Sequence, residues 1–223
     1  MEVEGLADRL AAVRQRIEHA AQRAGRDPSS ILLLAVTKIF PASALRAAYD
    51  LGLREFGENY VQEFEGKAPE LSDLAGAHYH LIGHLQSNKS SKAAELFHCI
   101  QTVDSAKLAR RLNETTRPLS VMIEVKLSDE DAKAGADPAH VPALIDAIRA
   151  CPNLTLRGLM TMPPWSEDPE APRPIFRRLR ELAVQHNLPE LSMGMSNDLE
   201  TAIEEGSTCV RVGTALFGRR KKL

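Results

Sequence analysis

A continuous apolar run near the N-terminus is the feature that most constrains the fold. Residues 31–36 read Ile-Leu-Leu-Leu-Ala-Val without a polar residue, and Thr37 and Lys38 follow directly. A strand without alternation between apolar and polar residues is typical of a parallel sheet that is covered on both faces. Parallel strands need crossover connections, which are usually helices. The run therefore predicts an α/β fold with its sheet in the interior.

Strand and helix patterns then alternate along the whole chain. A helix over residues 3–24 comes first, and Gly25 ends its apolar stripe. The predicted strands are 31–37, 53–57, 78–83, 98–103, 119–125, 154–160, 191–193 and 209–212. Eight strand–helix units after one extra helix predict a single (β/α)8 TIM barrel domain over residues 1–223. An open doubly wound sheet is the competing fold, but the glycine-rich dinucleotide fingerprint is absent after the first strand.

Charge, apolar runs and cysteines exclude several classes of protein. The formal net charge is −2, and no basic stripe precedes residues 219–222, so nucleic-acid binding is not expected. We expect that basic tail to be a solvated terminus. No signal-peptide pattern and no run of about 20 apolar residues is present, so neither secretion nor a membrane span is expected. The cysteines Cys99, Cys151 and Cys209 lack zinc-site spacing and predict reduced, packed thiols in a cytoplasmic protein.

In a barrel of this kind the chemistry is expected where the strands end. Lys38 ends the first predicted strand, although an ammonium group is expensive to bury. Either its stem packs while the charge reaches water, or it is a partly desolvated amine nucleophile. Glu58 ends the second strand and is either a candidate acid or base or the partner of a nearby lysine.

The loops after the seventh and eighth strands predict a phosphate site. Gly194 and Gly213 allow backbone N–H groups to approach an anion, and Ser196 adds a hydroxyl beside a predicted helix N-terminus. The alternative is that Ser196 or Asn197 is only a helix cap and Gly213 only a turn. Arg211 lies in the eighth strand, which neighbours the first in a closed barrel, so its fixed charge would favour the neutral amine of a nearby lysine.

Three histidines close to one another raise the alternative of a metal site. His78 and His80 lie in the third predicted strand and His84 just beyond it. No carboxylate or thiol nearby completes a ligand set, and zinc sites usually have three or four ligands. We therefore expect no metal and interpret His84 as a hydrogen-bonding loop residue.

Six segments spread over the whole chain resemble the YggS/PROSC family of pyridoxal 5′-phosphate (PLP) homeostasis proteins. They are LLAVTK (33–38), FGENYVQE (56–63), HLIGHLQSNK (80–89), LRGLMTM (156–162), LSMGMSNDLETAIEEGST (191–208) and VRVGTALFGRR (210–220). The resemblance implies a barrel like the N-terminal domain of alanine racemase that carries one PLP. Lys38 matches the Schiff-base lysine of the family, and Arg211 matches the arginine that faces the pyridine nitrogen. The other matching positions are Ser196, Gly213 and Thr214 at the phosphate, Met195 beside them, Asn59 lining the cofactor, and His84 in the turn after the third strand.

The resemblance implies a carrier or buffer of PLP in vitamin B6 homeostasis, without a dedicated catalytic activity. Such a protein holds PLP as a lysine aldimine and releases it to apo PLP-dependent enzymes, or keeps free aldehyde low; free amino acids are further partners. A monomer is favoured over a dimer.

Two alternative functions remain open. The first is a PLP-dependent amino-acid racemase, which needs a second acid or base on the face opposite Lys38. The barrel uses nearly the whole chain, and Tyr49, Tyr60 and Tyr79 all lie in its first half, so we do not expect that group. The second alternative is a barrel enzyme that forms a Schiff base with a phosphorylated metabolite, which does not explain Arg211.

One loop departs from the family pattern. Lys126 stands where the family tends to have asparagine, and Ala132 stands where it tends to have serine, whereas Lys133 and Gly135 remain. The role of this loop therefore stays open, and Lys126 adds a second amine near the barrel mouth.

Overall fold

The apolar segments form eight parallel strands in chain order, and pairing of the last strand with the first closes them into a barrel. The structure is a computed structural model that describes residues 5–128 and 134–218. The strands are β1 (Leu32–Val36), β2 (Glu55–Glu58), β3 (His78–Leu81), β4 (Cys99–Val103), β5 (Leu119–Glu124), β6 (Leu154–Met160), β7 (Glu190–Met195) and β8 (Cys209–Val212). The predicted α/β barrel is therefore confirmed.

Helices surround this barrel. They are α1 (Leu6–Arg23), α2 (Ala42–Asp50), α3 (Val61–Lys67), α4 (Ser90–Leu96), α5 (Ala106–Leu112), α6 (Val141–Arg149), α7 (Arg173–Gln185), α8 (Leu199–Glu204) and α9 (Thr214–Phe217). Short 3-10 turns lie at Pro28–Ser30, Ala68–Leu71, Ser87–Lys89 and Pro138–His140. None of the helices in the described ranges is long and apolar enough to cross a membrane.

Most strand predictions needed only small corrections at the ends. The sixth and eighth strands have their predicted bounds. The second begins two residues later than predicted and ends at Glu58, and the seventh extends to both sides as Glu190–Met195. These additions carry glutamate or glycine, which an apolar pattern does not mark as strand. The single turn of α9 after β8 was not predicted.

The extra N-terminal helix braces the side of the barrel that carries the last two strands. The apolar stripe of α1 is buried, including Leu6, Leu10 and Val13, and the helix packs on α8 and α9. The Arg16 guanidinium donates to Glu200 in α8 at 2.6 Å. This helix therefore stabilises the loops that follow β7 and β8.

The cysteines are packed in the interior. Cys99, Cys151 and Cys209 are all buried and free, as the sequence predicts. Burial raises the pKa of the Cys209 thiol to about 11. Its thiol therefore stays protonated at neutral pH.

Candidate functional site

Two large cavities open at opposite ends of the barrel. The one at the N-terminal end measures about 1080 Å³, and residues at the starts of the strands line it, such as Glu55 and His78. The one at the C-terminal end measures about 570 Å³. The N-terminal cavity is larger, but barrel enzymes carry their chemistry at the C-terminal ends of the strands. The predicted residues also gather there, so the C-terminal cavity is the candidate site.

Seven of the eight predicted site residues line this C-terminal cavity. They are Lys38, Asn59, Met195, Ser196, Arg211, Gly213 and Thr214. His84 instead lines a neighbouring cavity of about 110 Å³ together with Glu124 and Lys126. Met162 lines both cavities. The structure thus brings together residues from the ends of β1, β2, β7 and β8.

Sequence reasoning did not single out several other lining residues. They are Val36, Phe40, Ile82, Met162, Trp165, Ser166, Asp198, Ala215 and Gly218. Asp198 carries a usable signal, because it follows Ser196 by two residues in the same loop. The sequence gives no comparable signal for Trp165, because the position of its loop depends on a contact with another loop. There the Asn197 side-chain amide donates to the Ser166 carbonyl at 3.0 Å.

A buried ion pair fixes the backbone just before Lys38. The Thr37 hydroxyl donates to Glu58 Oε1 at 2.8 Å, and Lys67 Nζ lies 3.0 Å from the same oxygen. Lys67 Nζ also donates to the Thr37 carbonyl at 3.1 Å. Glu58 and Thr37 are fully buried, so the lysine-partner interpretation of Glu58 is the one that the structure supports. Burial raises the pKa of Glu58, and the attraction of Lys67 opposes that rise.

The backbone just after Lys38 is held in an unusual conformation. Ile39 has φ +70°, the left-handed region that β-branched residues rarely adopt. Its N–H donates to Glu63 Oε1 at 2.5 Å, and the Phe40 N–H donates to the Thr37 carbonyl at 3.1 Å. Strained backbone of this kind clusters at functional sites. The half-buried Lys38 is thus anchored on both sides.

Arg211 is a permanent charge in the barrel interior. It lies in register with Leu34, four residues before Lys38. Its guanidinium donates to Ser192 Oγ and to the Thr161 carbonyl, each at 2.8 Å. Burial lowers the pKa of Arg211, although Cys209, Asp198 and Glu124 oppose this, and an arginine stays charged at any ordinary pH. A guanidinium has five N–H groups, so donors remain to face the cavity.

The loops after β7 and β8 are tied to each other. The Ala215 N–H donates to Ser196 Oγ at 3.2 Å, and the Met195 N–H donates to Asp198 Oδ1 at 2.6 Å. Asp198, not Ser196 or Asn197, is the residue at the start of α8, so the helix-cap interpretation of those two residues is wrong. Burial raises the pKa of Asp198, and the Met195 N–H and Arg211 oppose that rise.

The two glycines of these loops have different roles. Gly213 lines the cavity, and a Cβ added to it would lie 3.4 Å from Val36 Cβ, so the β8 loop approaches the strand that carries Lys38. Gly194 has φ +91°, and an added Cβ would lie 2.4 Å from Ala202 Cβ. The glycine at 194 is therefore explained by packing against α8 rather than by contact with an anion.

Gly83 determines where Asn59 lies, and this leads to a prediction. A Cβ at Gly83 would lie 2.2 Å from the Asn59 carbonyl oxygen and 2.8 Å from Asn59 Cα. Backbone must move to relieve that clash, so we expect Gly83→Ala to lower the free energy of unfolding by about 1–3 kcal/mol in urea. The matched control is Gly66→Ala, since nothing lies within 4 Å of a Cβ in that exposed helical position. The control should gain about 0.5–1 kcal/mol, and equal stabilities would contradict the account.

Glu124 lies at the end of β5 in the small neighbouring cavity. It is buried, and its Oε2 has no hydrogen-bond partner among the described residues. Burial raises its pKa from 4.5 to about 7, and the charge of Arg211 opposes this rise. His84 lines the same cavity but is half-exposed, with Nδ1 3.8 Å from Asp104 Oδ2.

The raised pKa of Glu124 predicts a pH-dependent stability. The folded state binds this proton more tightly than the unfolded chain does, so the contribution is present below pH 4.5 and is lost as the pH rises through about 7. The loss amounts to about 3 kcal/mol over the whole range, and most of it falls between pH 5 and pH 8. Glu124→Gln should remove the Glu124 share of the decline in stability with pH, which urea unfolding at pH 5 and pH 8 measures against wild type. Glu114→Gln on the exposed surface is the control and should keep the wild-type decline; a Glu124→Gln profile that declines as much as the wild-type profile would refute the assignment.

Comparison with known proteins identifies the class of this barrel. The profile of the alanine racemase N-terminal domain family matches residues 9–221. PipY of Synechococcus elongatus, solved with PLP bound, is 41% identical, with a TM-score of 0.83 over 96% of this chain and 100% of that one. The family match and the fold therefore define a barrel of the alanine racemase N-terminal type.

Curated relatives narrow this class to one family. The pyridoxal phosphate homeostasis protein of Pseudomonas aeruginosa is 50% identical over 221 residues, which is 96% of each chain. The Escherichia coli protein of the same name is 44% identical over 230 residues, covering 96% of this chain and 97% of that one. The chain belongs to the pyridoxal phosphate homeostasis protein family, and the resemblance drawn from its motifs is confirmed.

Proposed function

We propose that this protein binds PLP in the C-terminal cavity and acts as a carrier or buffer of PLP in the cell. The observation that carries the proposal is that Lys38, Arg211 and the loop of Ser196, Gly213 and Thr214 line one cavity. Lys38 would meet the aldehyde of PLP, Arg211 the ring nitrogen, and the loop the phosphate. The naming of the curated relatives and the PLP-bound PipY structure support the same conclusion.

The residues present fit PLP. The cavity of about 570 Å³ lies in the range of small-molecule sites. Val36, Phe40 and Ile82 give it apolar walls for an aromatic ring. The Ser196 hydroxyl accepts from the Ala215 N–H and keeps its own hydrogen for an anionic oxygen. Gly213 allows the β8 loop to approach β1, as described above.

Each residue has a definite role in holding the cofactor. Bound PLP supplies an aldehyde that condenses with a primary amine and releases water. Lys38 is the amine that we propose for covalent attachment, and its anchored backbone fixes where Nζ meets the aldehyde. Arg211 would donate to the ring nitrogen and, because a guanidinium does not release a proton, would leave that nitrogen unprotonated. Asn59 lines the same cavity and would lie beside the ring, and Met195 and Thr214 would complete the phosphate site.

A racemase would need a second acid or base in the cavity. Among the described lining residues the titratable ones are Lys38, Asp198 and Arg211. Asp198 already accepts from the Met195 N–H, and Arg211 does not deprotonate. No tyrosine of the described part lines the cavity. The site therefore favours holding an aldehyde over turning over an amino acid, and we propose no dedicated catalytic activity.

Trp165 provides a direct binding assay. It is the only tryptophan of the chain, lies 74% exposed and lines the cavity. Because PLP absorbs where tryptophan emits, titration with PLP should quench Trp165 and produce the visible absorbance of lysine-bound PLP. The loaded protein should then reactivate an apo PLP-dependent enzyme.

Three results would contradict this function. If PLP neither quenches the Trp165 fluorescence nor produces the visible absorbance, the protein does not bind PLP. The alternative function, an enzyme that forms a Schiff base with a phosphorylated metabolite, would then be favoured. Loaded protein that never reactivates an apo-enzyme is not a carrier. Exchange of the α-proton of L-alanine in deuterated water would favour the racemase instead. We further propose that the chain forms one domain and is monomeric in solution. Light scattering tests the monomeric state.

A further inference from the structure

A line of polar side chains crosses the barrel interior and joins its two cavities. From the C-terminal side, Arg211 contacts Ser192 Oγ at 2.8 Å, and Ser192 Oγ contacts Gln101 Oε1 at 2.6 Å. Gln101 Nε2 lies 3.0 Å from His80 Nδ1, and His80 Nε2 lies 2.7 Å from Glu55 Oε2. Arg211, Ser192 and Gln101 are 3% exposed or less. We call these five residues the interior chain.

Hydrogen-bond chemistry gives the interior chain one direction. Arg211 has donors only, so Ser192 Oγ accepts from it and gives its single hydrogen to Gln101 Oε1. The amide nitrogen of Gln101 must then face His80, and it donates to Nδ1. His80 therefore carries its hydrogen on Nε2 and donates to the Glu55 carboxylate. The fixed charge of Arg211 selects the neutral Nε2–H form of a histidine at the other end of the barrel.

The far end of the interior chain opens to water. Glu55 and His80 both line the N-terminal cavity. Burial opposes ionisation of Glu55, but hydrogen bonds from His80 and His78 outweigh it and lower the pKa of that carboxyl. The other titratable groups lining this cavity are Arg14, Glu18, Asp27, Arg54, His78, His98, Cys99, Arg157, Glu190 and Cys209. Of these, His78 contacts the other Glu55 oxygen at 2.9 Å, and Arg157 is paired with Glu190.

Protonation of His80 is incompatible with this direction. A hydrogen on Nδ1 would force Gln101 to present its oxygen to His80 and its amide nitrogen to Ser192. The Ser192 hydroxyl would then face donors on both sides, and only the weakly accepting thiol of Cys209 would remain nearby. Ser192 would lose its strong acceptor, and the contact that orients Arg211 would weaken.

We infer that Gln101 and His80 are positioning residues that couple protonation at the N-terminal end of the barrel to the orientation of Arg211, and so to PLP affinity. The link to PLP rests on the proposed function, in which Arg211 faces the ring nitrogen. PLP is thus held most tightly while His80 is neutral.

The first test needs no PLP. Nitrogen-15 NMR of protein labelled in its histidine rings distinguishes the two neutral forms, and His80→Asn identifies the signals of His80. Wild-type protein should show the Nε2–H form. In Gln101→Glu a carboxylate replaces the amide donor and accepts a hydrogen, so the signals should change to those of a His80 ring that carries hydrogen on Nδ1. A wild-type His80 in the Nδ1–H form overturns the interior chain.

The second test measures the coupling. The dissociation constant of PLP, read from Trp165 quenching between pH 5 and pH 9, should rise as His80 protonates. In Gln101→Glu that rise should be absent, because one carboxylate oxygen accepts from His80 while the other still accepts from the Ser192 hydroxyl. Gln15→Glu, on the exposed face of α1, is the matched control and should keep the wild-type profile. A Gln101→Glu profile equal to wild type overturns the coupling.

Two further outcomes separate the hypotheses. If Gln101→Glu does not fold, Gln101→Met breaks the interior chain without adding charge. The dissociation constant of PLP in Gln101→Met should then no longer change as His80 is protonated. A pH dependence equal to that of wild type overturns the coupling. If wild-type protein binds no PLP at all, the proposed function fails and the coupling with it, whereas the NMR result still decides the direction of the interior chain.

Discussion

Lys38→Ala should abolish the visible absorbance of bound PLP while leaving Trp165 quenching in place. The amine that we propose for covalent attachment is gone, but Arg211 and the phosphate loop still line the cavity. We therefore expect binding to weaken on the order of 100-fold, which corresponds to about 2.8 kcal/mol, rather than to vanish. Absorbance and fluorescence titrations of the same samples measure the two effects separately.

Lys126→Ala is the matched control for this experiment. Lys126 is a second amine at the barrel mouth, and it lines the small cavity that shares Met162 with the candidate site. The control should keep the absorbance and the affinity of wild type. A visible absorbance band of bound PLP that survives Lys38→Ala and disappears in Lys126→Ala would show that PLP is attached to Lys126, which would contradict our proposal.

Lys67→Ala should cause the largest loss of stability. It leaves the Glu58 carboxylate fully buried without the ammonium group 3.0 Å away. Breaking a buried ion pair on one side typically lowers the free energy of unfolding by about 3–5 kcal/mol. Urea unfolding measures it, and PLP affinity should fall as well because Lys67 holds the Thr37 carbonyl next to Lys38.

A surface lysine and a double variant make this prediction specific. Lys92 pairs with Glu95 at 2.8 Å in exposed positions, so Lys92→Ala should leave the stability nearly unchanged. Replacing both partners, as Glu58→Gln with Lys67→Met, should recover part of the loss because no unpaired charge remains buried. Equal stabilities of Lys67→Ala and Lys92→Ala would show that the buried pair does not brace this strand end.

The barrel was predictable because parallel strands in its wall are apolar on both faces. The run at residues 31–36 and the clear strand at 119–125 needed little beyond their composition. The seventh strand was predicted too short because Glu190, Gly194 and Met195 surround its apolar centre. The turn of helix after β8 was missed because its four residues carry no periodic pattern.

The candidate site was predictable where one strand end carries one polar residue, as at Lys38. The loop contacts of Asn197 were not, because they depend on where the proline-rich loop lies in space. The interior chain was also missed: Gln101 in β4 and Ser192 in β7 lie on strands that are not neighbours, and they meet only when the barrel closes. Residues 129–133 and 219–222, which include the Ala132 departure and the basic tail, lie outside the described ranges, so the predictions for them stay predictions.

Chemical trapping tests the central claim most directly. Protein loaded with PLP is treated with borohydride, which reduces an imine to a stable secondary amine, and is then digested and mapped by mass spectrometry. The account predicts the pyridoxyl phosphate label on Lys38, in amounts that match the lost visible absorbance. A label on Lys126 or another lysine, or no label on protein that still binds PLP, would contradict it.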